Sequence, residues 1–171
     1  MVSIAVLDDY QNVALTVADW SQAAGRPTAS QVFNEHFGDL ETAAKALQGF
    51  EVVGVMRERT PFPRALFDKL PDLKLLVTTG KRNASIDLAA AKDRGVLVCN
   101  TGGAGRATAE LAIGLMIELG AAPRLWSSDE HARRAAGRPR VGFDLDGKTL
   151  GLIGLGNLGS QGRARSARRS A

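Results

Sequence analysis

Residues 149–160, reading TLGLIGLGNLGS, are the stretch of this 171-residue chain whose residue types and spacing point most directly to a ligand. Gly154, Gly156 and Gly159 form a G-x-G-x-x-G turn after the apolar run Leu150, Leu152, Ile153. In such a turn the first glycine permits the tight bend and the second lets the backbone approach a pyrophosphate. The third lets helix and strand pack closely, with the anion at the helix N-terminus. The fingerprint alone is weak, but a preceding strand buried on both faces is the context it needs, so a dinucleotide is the expected ligand and a purely structural glycine turn the competing reading. From Gly162 the chain reads GRARSARRSA, whose only apolar side chains are alanines. That composition predicts a disordered end rather than a helix able to cover a sheet. No Asp or Glu follows Asp146, so no ribose-binding acid and no preference between NAD and NADP can be read. The chain is expected to halt just inside a cofactor-binding fold.

Other chemistries find less support. Cys99 is the single cysteine, which excludes an internal disulfide framework and a CxxC metal or redox site and fits a reducing cytoplasm. No metal site is expected. His36 and His131 read as surface histidines, and no catalytic residue is assigned to either. Ser127, Ser128, Asp129 and His131 are neighbours on one predicted helix, which does not make a triad, and the nucleophile-elbow motif is absent. Arg163, Arg165, Arg168 and Arg169 account for the whole formal excess of +4, so the basic balance belongs to the last residues and not to a folded nucleic-acid-binding face. The N-terminus has no basic signal-peptide region. The most apolar helical stretch, residues 107–121, is too short for a membrane span and carries Glu110 and Glu118. No membrane or nucleic-acid partner is expected.

The elements that would position these residues alternate through the first hundred. Strands are predicted at residues 3–7, 31–33 (weakly), 51–56, 73–77 and 96–99, and helices at 11–20, 40–47, 61–70 and 86–94, with Asp39 as a helix cap. Pro61 and Pro63 open the third helix and Pro71 closes it, while Gly95 ends the fourth. Five strands with four intervening helices predict an α/β unit with a parallel, flavodoxin-like sheet that closes without the rest of the chain. After the glycine-rich connector TGGAGR comes a helix over residues 107–121. It is apolar nearly all round, with ridges of Leu111, Leu115, Leu119 and of Ile113, Ile117, and is therefore expected to be buried on more than one side. A more polar helix is predicted over 124–136 and a loop over 137–148, turning at Asp146-Gly147.

Three separated motifs, LKLLVTTGKRNASIDLAAAKDRGVLVCNTGG, ATAELAIGLMIEL and DLDGKTLGLIGLGNLG, occur in an order and spacing that resembles the D-isomer-specific 2-hydroxyacid dehydrogenases, over residues 2–161. The resemblance implies an α/β architecture: a flavodoxin-like substrate-binding domain at 1–100, then a linking helix and the first βα unit of an incomplete Rossmann domain at 101–161, with an aberrant Arg-rich tail at 162–171. It implies NAD as cofactor, NADP remaining open, a small 2-hydroxy or 2-oxo acid as substrate, and a homodimer formed through the 107–136 helices. It further implies that the loop Thr79, Gly80, Lys81, Arg82 receives the substrate carboxylate on its backbone amides. Thr108 would lie at the nicotinamide end of the cofactor, and Asn157 and Leu158, beside Gly154, Gly156 and Gly159, would turn their amides to the pyrophosphate. The chain reads KRNASID where the family commonly has a second glycine and an aromatic or Asp-Asn pair, so substrate preference is not legible. The family's histidine, glutamate and arginine of hydride transfer follow the Rossmann core and match no residue here. The chain is thus expected to be inactive alone. A non-catalytic dimerising or ligand-binding module is the alternative.

Overall fold

The computed structural model describes residues 1–23, 25–103, 105–120 and 143–167. The chain divides into two compact units, Met1–Gly103 and Ala104–Ala171. In the first, β1 (Val2–Val6), β2 (Gln22–Ala23), β3 (Arg26–Val32), β4 (Val52–Val55), β5 (Leu75–Thr78) and β6 (Leu97–Asn100) form one sheet in the order β2-β3-β1-β4-β5-β6. All strands but β2 are parallel. Counting only the parallel strands, the order is 2-1-3-4-5, the expected flavodoxin-like arrangement, with its topological switch between β1 and β4.

The interior strands carry the core. Ala5, Val53, Val55 and Leu76 are fully buried, and Phe62, Leu66 and Phe67 pack into the same cluster with Ala43, Ala44 and Leu47 of the second connection and Ala90 and Ala91 of the fourth. Each large aliphatic or aromatic side chain so buried contributes roughly 1.5–3 kcal/mol relative to exposure. The covering helices are short: α1 (Ala14–Val17), α2 (Leu40–Ala46), α3 (Arg64–Phe67) and α4 (Leu88–Asp93). Asp39 caps α2 as expected, accepting from the Thr42 amide at 2.8 Å, and Asp87 does the same for α4 through Ala90, also at 2.8 Å. α4 ends where the Gly95 and Val96 amides turn back to the Lys92 and Ala91 carbonyls.

Two elements of this unit depart from the sequence expectation. The strand predicted at 31–33 extends back to Arg26 and is preceded by β2, with which it forms an antiparallel hairpin. The segment RPTASQV is polar and mostly exposed, so it lacks the apolar run that reveals a buried strand, and Pro27 is tolerated there near the sheet edge. The helix predicted at 11–20 shrinks to one turn, α1, with no buried residue. Asn12 has φ +53°, Leu15 and Val17 are exposed, and the β-branched Val13, Thr16 and Val17 are poor helix formers, so little favours continuing it.

The second unit contains α5 (Arg106–Gly120) and α6 (Asn157–Ala167), which pack against each other, with Arg165 paired to Glu110 at 2.9 Å. The glycine turn leads into a helix as expected. The run Leu150, Leu152, Ile153 forms no β-ladder with any described residue, and these side chains are exposed. An apolar run becomes a strand only when neighbours supply hydrogen bonds and cover, and none of the described residues does so. The expectation that nothing helical follows Gly162 is also corrected, because α6 continues through Arg163 and Arg165 to Ala167. Ala, Arg and Gln favour the helix, and its packing along α5 with the Arg165–Glu110 pair supports it against Gly159 and Gly162. α5 is not buried on two sides in the isolated chain: only Ala109 and Gly120 are buried, while Leu111, Leu115, Ile117 and Leu119 are exposed. The helix predicted at 124–136, with His131, lies outside the described residues.

Candidate functional site

In an open parallel sheet the strands point their carboxyl ends, with loops free of sheet hydrogen bonds, toward one edge, and ligands bind there beside the switch point. At that edge β1 delivers Asp8 and Asp9, β4 delivers Met56 and Arg57, and β5 delivers Thr79 and Gly80. The β5 loop is fastened at its root: the Thr79 amide donates to the Val55 carbonyl at 3.0 Å and the Thr101 amide to the Thr78 carbonyl at 3.1 Å. Gly80 has φ +91°, a conformation that L side chains rarely adopt, and its amide donates to Thr101 Oγ1 at 3.1 Å. The loop therefore turns sharply with an N–H held by a hydroxyl that an incoming anion would replace. Lys81 and Arg82 are exposed, and their amides meet no acceptor among the described residues. Asn100 Nδ2 donates to the Lys81 carbonyl at 3.0 Å, orienting that peptide.

The structure adds a residue that the sequence reading passed over. Arg57 sits in the turn after β4, and its guanidinium carbon lies 3.9 Å from where a Cβ on Gly80 would stand. Its backbone is in the left-handed region, φ +50°. The Arg57 amide donates to Thr79 Oγ1 at 3.2 Å, and the Arg57 carbonyl accepts from Asn83 Nδ2, which also donates to Thr78 Oγ1 at 2.9 Å. Arg57 is thus an exposed cation laid beside the sharpest turn of the loop by its own main chain. The available signal was a basic residue directly after an interior strand. Its approach to Gly80 follows only from β4 and β5 being neighbours.

Beside these, Asp8 is 1% exposed and has φ +59°. Its carboxylate accepts from Thr60 Oγ1 at 2.8 Å and from the Tyr10 hydroxyl at 3.2 Å, and His36 Nδ1 lies 3.6 Å away. Partial burial, with the adjoining Asp8 carboxylate, pushes the Tyr10 phenol above its ordinary value. His36 is half-exposed, near its expected surface position. It makes no hydrogen bond to the 79–82 loop among the described residues.

In the second unit the fingerprint residues come together as a turn on a helix end. Gly154 has φ +86°, and α6 begins at Asn157, leaving the first-turn amides of Asn157, Leu158 and Gly159 without helical acceptors. A Cβ on Gly159 would run into the Gly154 carbonyl oxygen, so only glycine allows this close approach. Asn157 Oδ1 accepts from Gln161 Nε2 at 3.0 Å, which leaves its main-chain amide unencumbered. First-turn amides at the end of a helix are the kind of donor set that could hold a pyrophosphate. Thr108 is exposed in the first turn of α5.

The model of the D-isomer specific 2-hydroxyacid dehydrogenase catalytic domain matches residues 11–157. The chain belongs to the D-isomer specific 2-hydroxyacid dehydrogenase family. It is 32% identical over 134 residues to a hydroxypyruvate reductase of Thermotoga maritima, covering 77% of this chain and 42% of that protein. It is 35% identical over 111 residues to a glyoxylate/hydroxypyruvate reductase of Arabidopsis thaliana, covering 62% of this chain and 34% of that one. Among solved structures, a phosphoglycerate oxidoreductase of Vibrio cholerae superposes with a TM-score of 0.82 at 34% identity, over 98% of this chain and 53% of that chain. The chain thus spans about half the length of that structure and less than half of these two curated relatives. The dehydrogenase family is one of oxidoreductases acting on a CH–OH group of small hydroxy and oxo acids. No helix among the described residues is long and apolar enough to cross a membrane, and no cluster of three or more metal-ligating side chains occurs among them.

Proposed function

We propose that these residues form the acid-binding part and the start of the cofactor-binding part of an NAD(P)-dependent D-2-hydroxyacid dehydrogenase. The observation that carries the reading is the Arg57 guanidinium standing beside the left-handed Gly80 at the carboxyl edge of the sheet. Thr79, Gly80, Lys81 and Arg82 offer main-chain donors to a carboxylate, and Arg57 adds a charge-assisted contact from the neighbouring strand. Arg82 is exposed on the same loop and supplies a second cation. Gly154, Gly156, Asn157, Leu158 and Gly159 would hold the cofactor pyrophosphate, with Thr108 at the nicotinamide end. NAD is the expected cofactor, NADP staying open because no acidic residue follows Asp146. The bound nicotinamide supplies hydride chemistry at C2 of the acid. What the residues described here do is bind and orient the acid's carboxylate.

The 171-residue chain alone is expected to bind the acid without turning it over. A cytoplasmic setting fits the single cysteine. The test is a titration of the isotope-labelled 171-residue chain with oxamate, an isostere of a 2-oxo acid, followed by amide NMR. The Gly80, Lys81 and Arg82 amides are expected to shift together and saturate, and Arg57→Ala to weaken binding about tenfold or more, as for loss of a charged hydrogen bond. Shifts scattered away from this loop would remove the reading. A parallel assay of glyoxylate or hydroxypyruvate reduction with NADH is expected to show no turnover.

A second reading, a dimerising module, rests on the exposed Leu111, Leu115, Ile117 and Leu119 of α5. It is compatible with the first, since the same helix would join two copies of the enzyme chain.

A further inference from the structure

Among the described residues, the three non-glycine residues with left-handed backbone, Asp8, Asn12 and Arg57, all follow the carboxyl ends of β1 and β4, on either side of the topological switch. A backbone held in that region persists only where surrounding bonds over-determine it. For Arg57 those bonds are visible on one side: its amide and carbonyl are gripped by Thr79 and Asn83. The other side of its turn is closed by the Arg59 amide donating to the Met56 carbonyl at 3.3 Å, and then by Thr60. Thr60 is buried, and its hydroxyl reaches across the sheet to the Asp8 carboxylate at 2.8 Å. Arg59 is tied to the same point, its Nη1 donating to the Asp8 carbonyl at 2.8 Å and its guanidinium lying 4.5 Å over the Tyr10 ring. A carboxylate this deeply buried is costly unless it is hydrogen-bonded, and the Thr60 and Tyr10 hydroxyls supply those bonds. What it holds is the end of the turn that presents Arg57.

We propose that Asp8 is a positioning residue for Arg57: by anchoring Thr60 and Arg59 from β1, it fixes the left-handed turn after β4 that sets the Arg57 guanidinium beside Gly80. The proposal rests on the reading that Arg57 and the Gly80 loop take the substrate carboxylate. It assigns Asp8 no contact with substrate. The carboxylate acts on Arg57 through the hydroxyl of Thr60, whereas Arg59 binds the Asp8 main-chain carbonyl, a contact that side-chain substitution does not itself remove.

The experiment uses the whole 171-residue chain and two readouts. The first is the strong intraresidue HN–Hα NOE that a positive φ produces at Arg57. The second is the oxamate affinity measured at the Gly80 and Lys81 amides. Thr60→Val, which keeps shape and removes the hydroxyl, and Asp8→Ala are each expected to lose the Arg57 NOE and weaken oxamate about tenfold, the effect of losing one well-placed hydrogen bond. Asp8→Asn, which keeps an oxygen for Thr60, is expected to restore both signals in large part. A purely structural Asp8 would lower the melting temperature and leave the NOE and affinity of the folded protein unchanged, and that result in Thr60→Val overturns the proposal even where Asp8→Ala does not fold. A wild-type chain that ignores oxamate overturns the substrate reading itself. A wild-type chain that binds oxamate while Thr60→Val binds equally well overturns the positioning role alone.

Discussion

Gly80 and Arg57 show how two left-handed turns, one natural to glycine and one uncommon for arginine, make a useful pair. Arg57 sits at φ +50° and Gly80 at φ +91°, and both are stitched to Thr79, Asn83 and Thr101 by main-chain hydrogen bonds. Substituting Gly80→Ala places a Cβ in open space, 3.9 Å from the nearest guanidinium atom, so the cost is conformational rather than steric. Destabilisation of about 1–2 kcal/mol is expected, the penalty of a left-handed L residue. Urea denaturation of the two chains checks this. An unchanged midpoint would mean that the loop relaxes to another conformation, and oxamate affinity should then fall.

At the scale of elements, the helices of the first unit are too short to be stable by themselves and depend on caps and buried alanines. The main-chain N–H of Thr42, joined by its hydroxyl, holds the Asp39 carboxyl below the usual carboxylate range. A carboxyl whose folded value is depressed contributes stability that is fully present above its unfolded value, and that contribution is lost as the pH falls through the lowered folded value. Asp39→Asn keeps an oxygen cap without the titration. Thermal melts of wild type and Asp39→Asn are therefore expected to differ near neutral pH, wild type being the more stable, and to converge as the pH is taken down through the acidic range. A constant difference across that range would contradict this account of the cap. The surface pairs Arg64–Asp93 and Arg94–Asp68, both 2.7 Å, link the third and fourth helical segments but are exposed and contribute little.

For the whole molecule the telling contrast is between the interior strands of the first unit, whose apolar side chains are sheathed, and the second unit, most of whose large apolar side chains are exposed. Val53, Val55 and Leu76 are closed off, whereas Leu111 and Leu119 of α5 are 63% and 70% exposed and Ile153 and Leu155 are open to solvent. Leu111, Leu115 and Leu119 recur every four residues along α5, and an exposed apolar ridge of that kind suits an interaction face. The homodimer proposed through α5 gives it an occupant. Leu115→Glu alters an already exposed position, so the monomer should fold as before. Analytical ultracentrifugation is expected to show a wild-type dimer and a monomeric variant, and a monomeric wild type would remove the dimer proposal.

The amino-acid order by itself determined the elements that carry their own pattern. β4 and β5 were legible because strands buried on both faces must be apolar along their length, α2 because the Asp39 cap announces it, α5 because its apolar spacing does, and the glycine turn because only glycine tolerates its close approach. Tertiary structure alone decided the rest. β3 showed only weakly, at its end, because a strand near the sheet edge has little apolar face to show, and residues 150–153 read as a strand although a strand exists only when a neighbour pairs with it. Arg57 and Asp8 were invisible as site residues for the same reason: each acts on residues brought near by sheet order, and no spacing along one segment encodes which strand lies beside which.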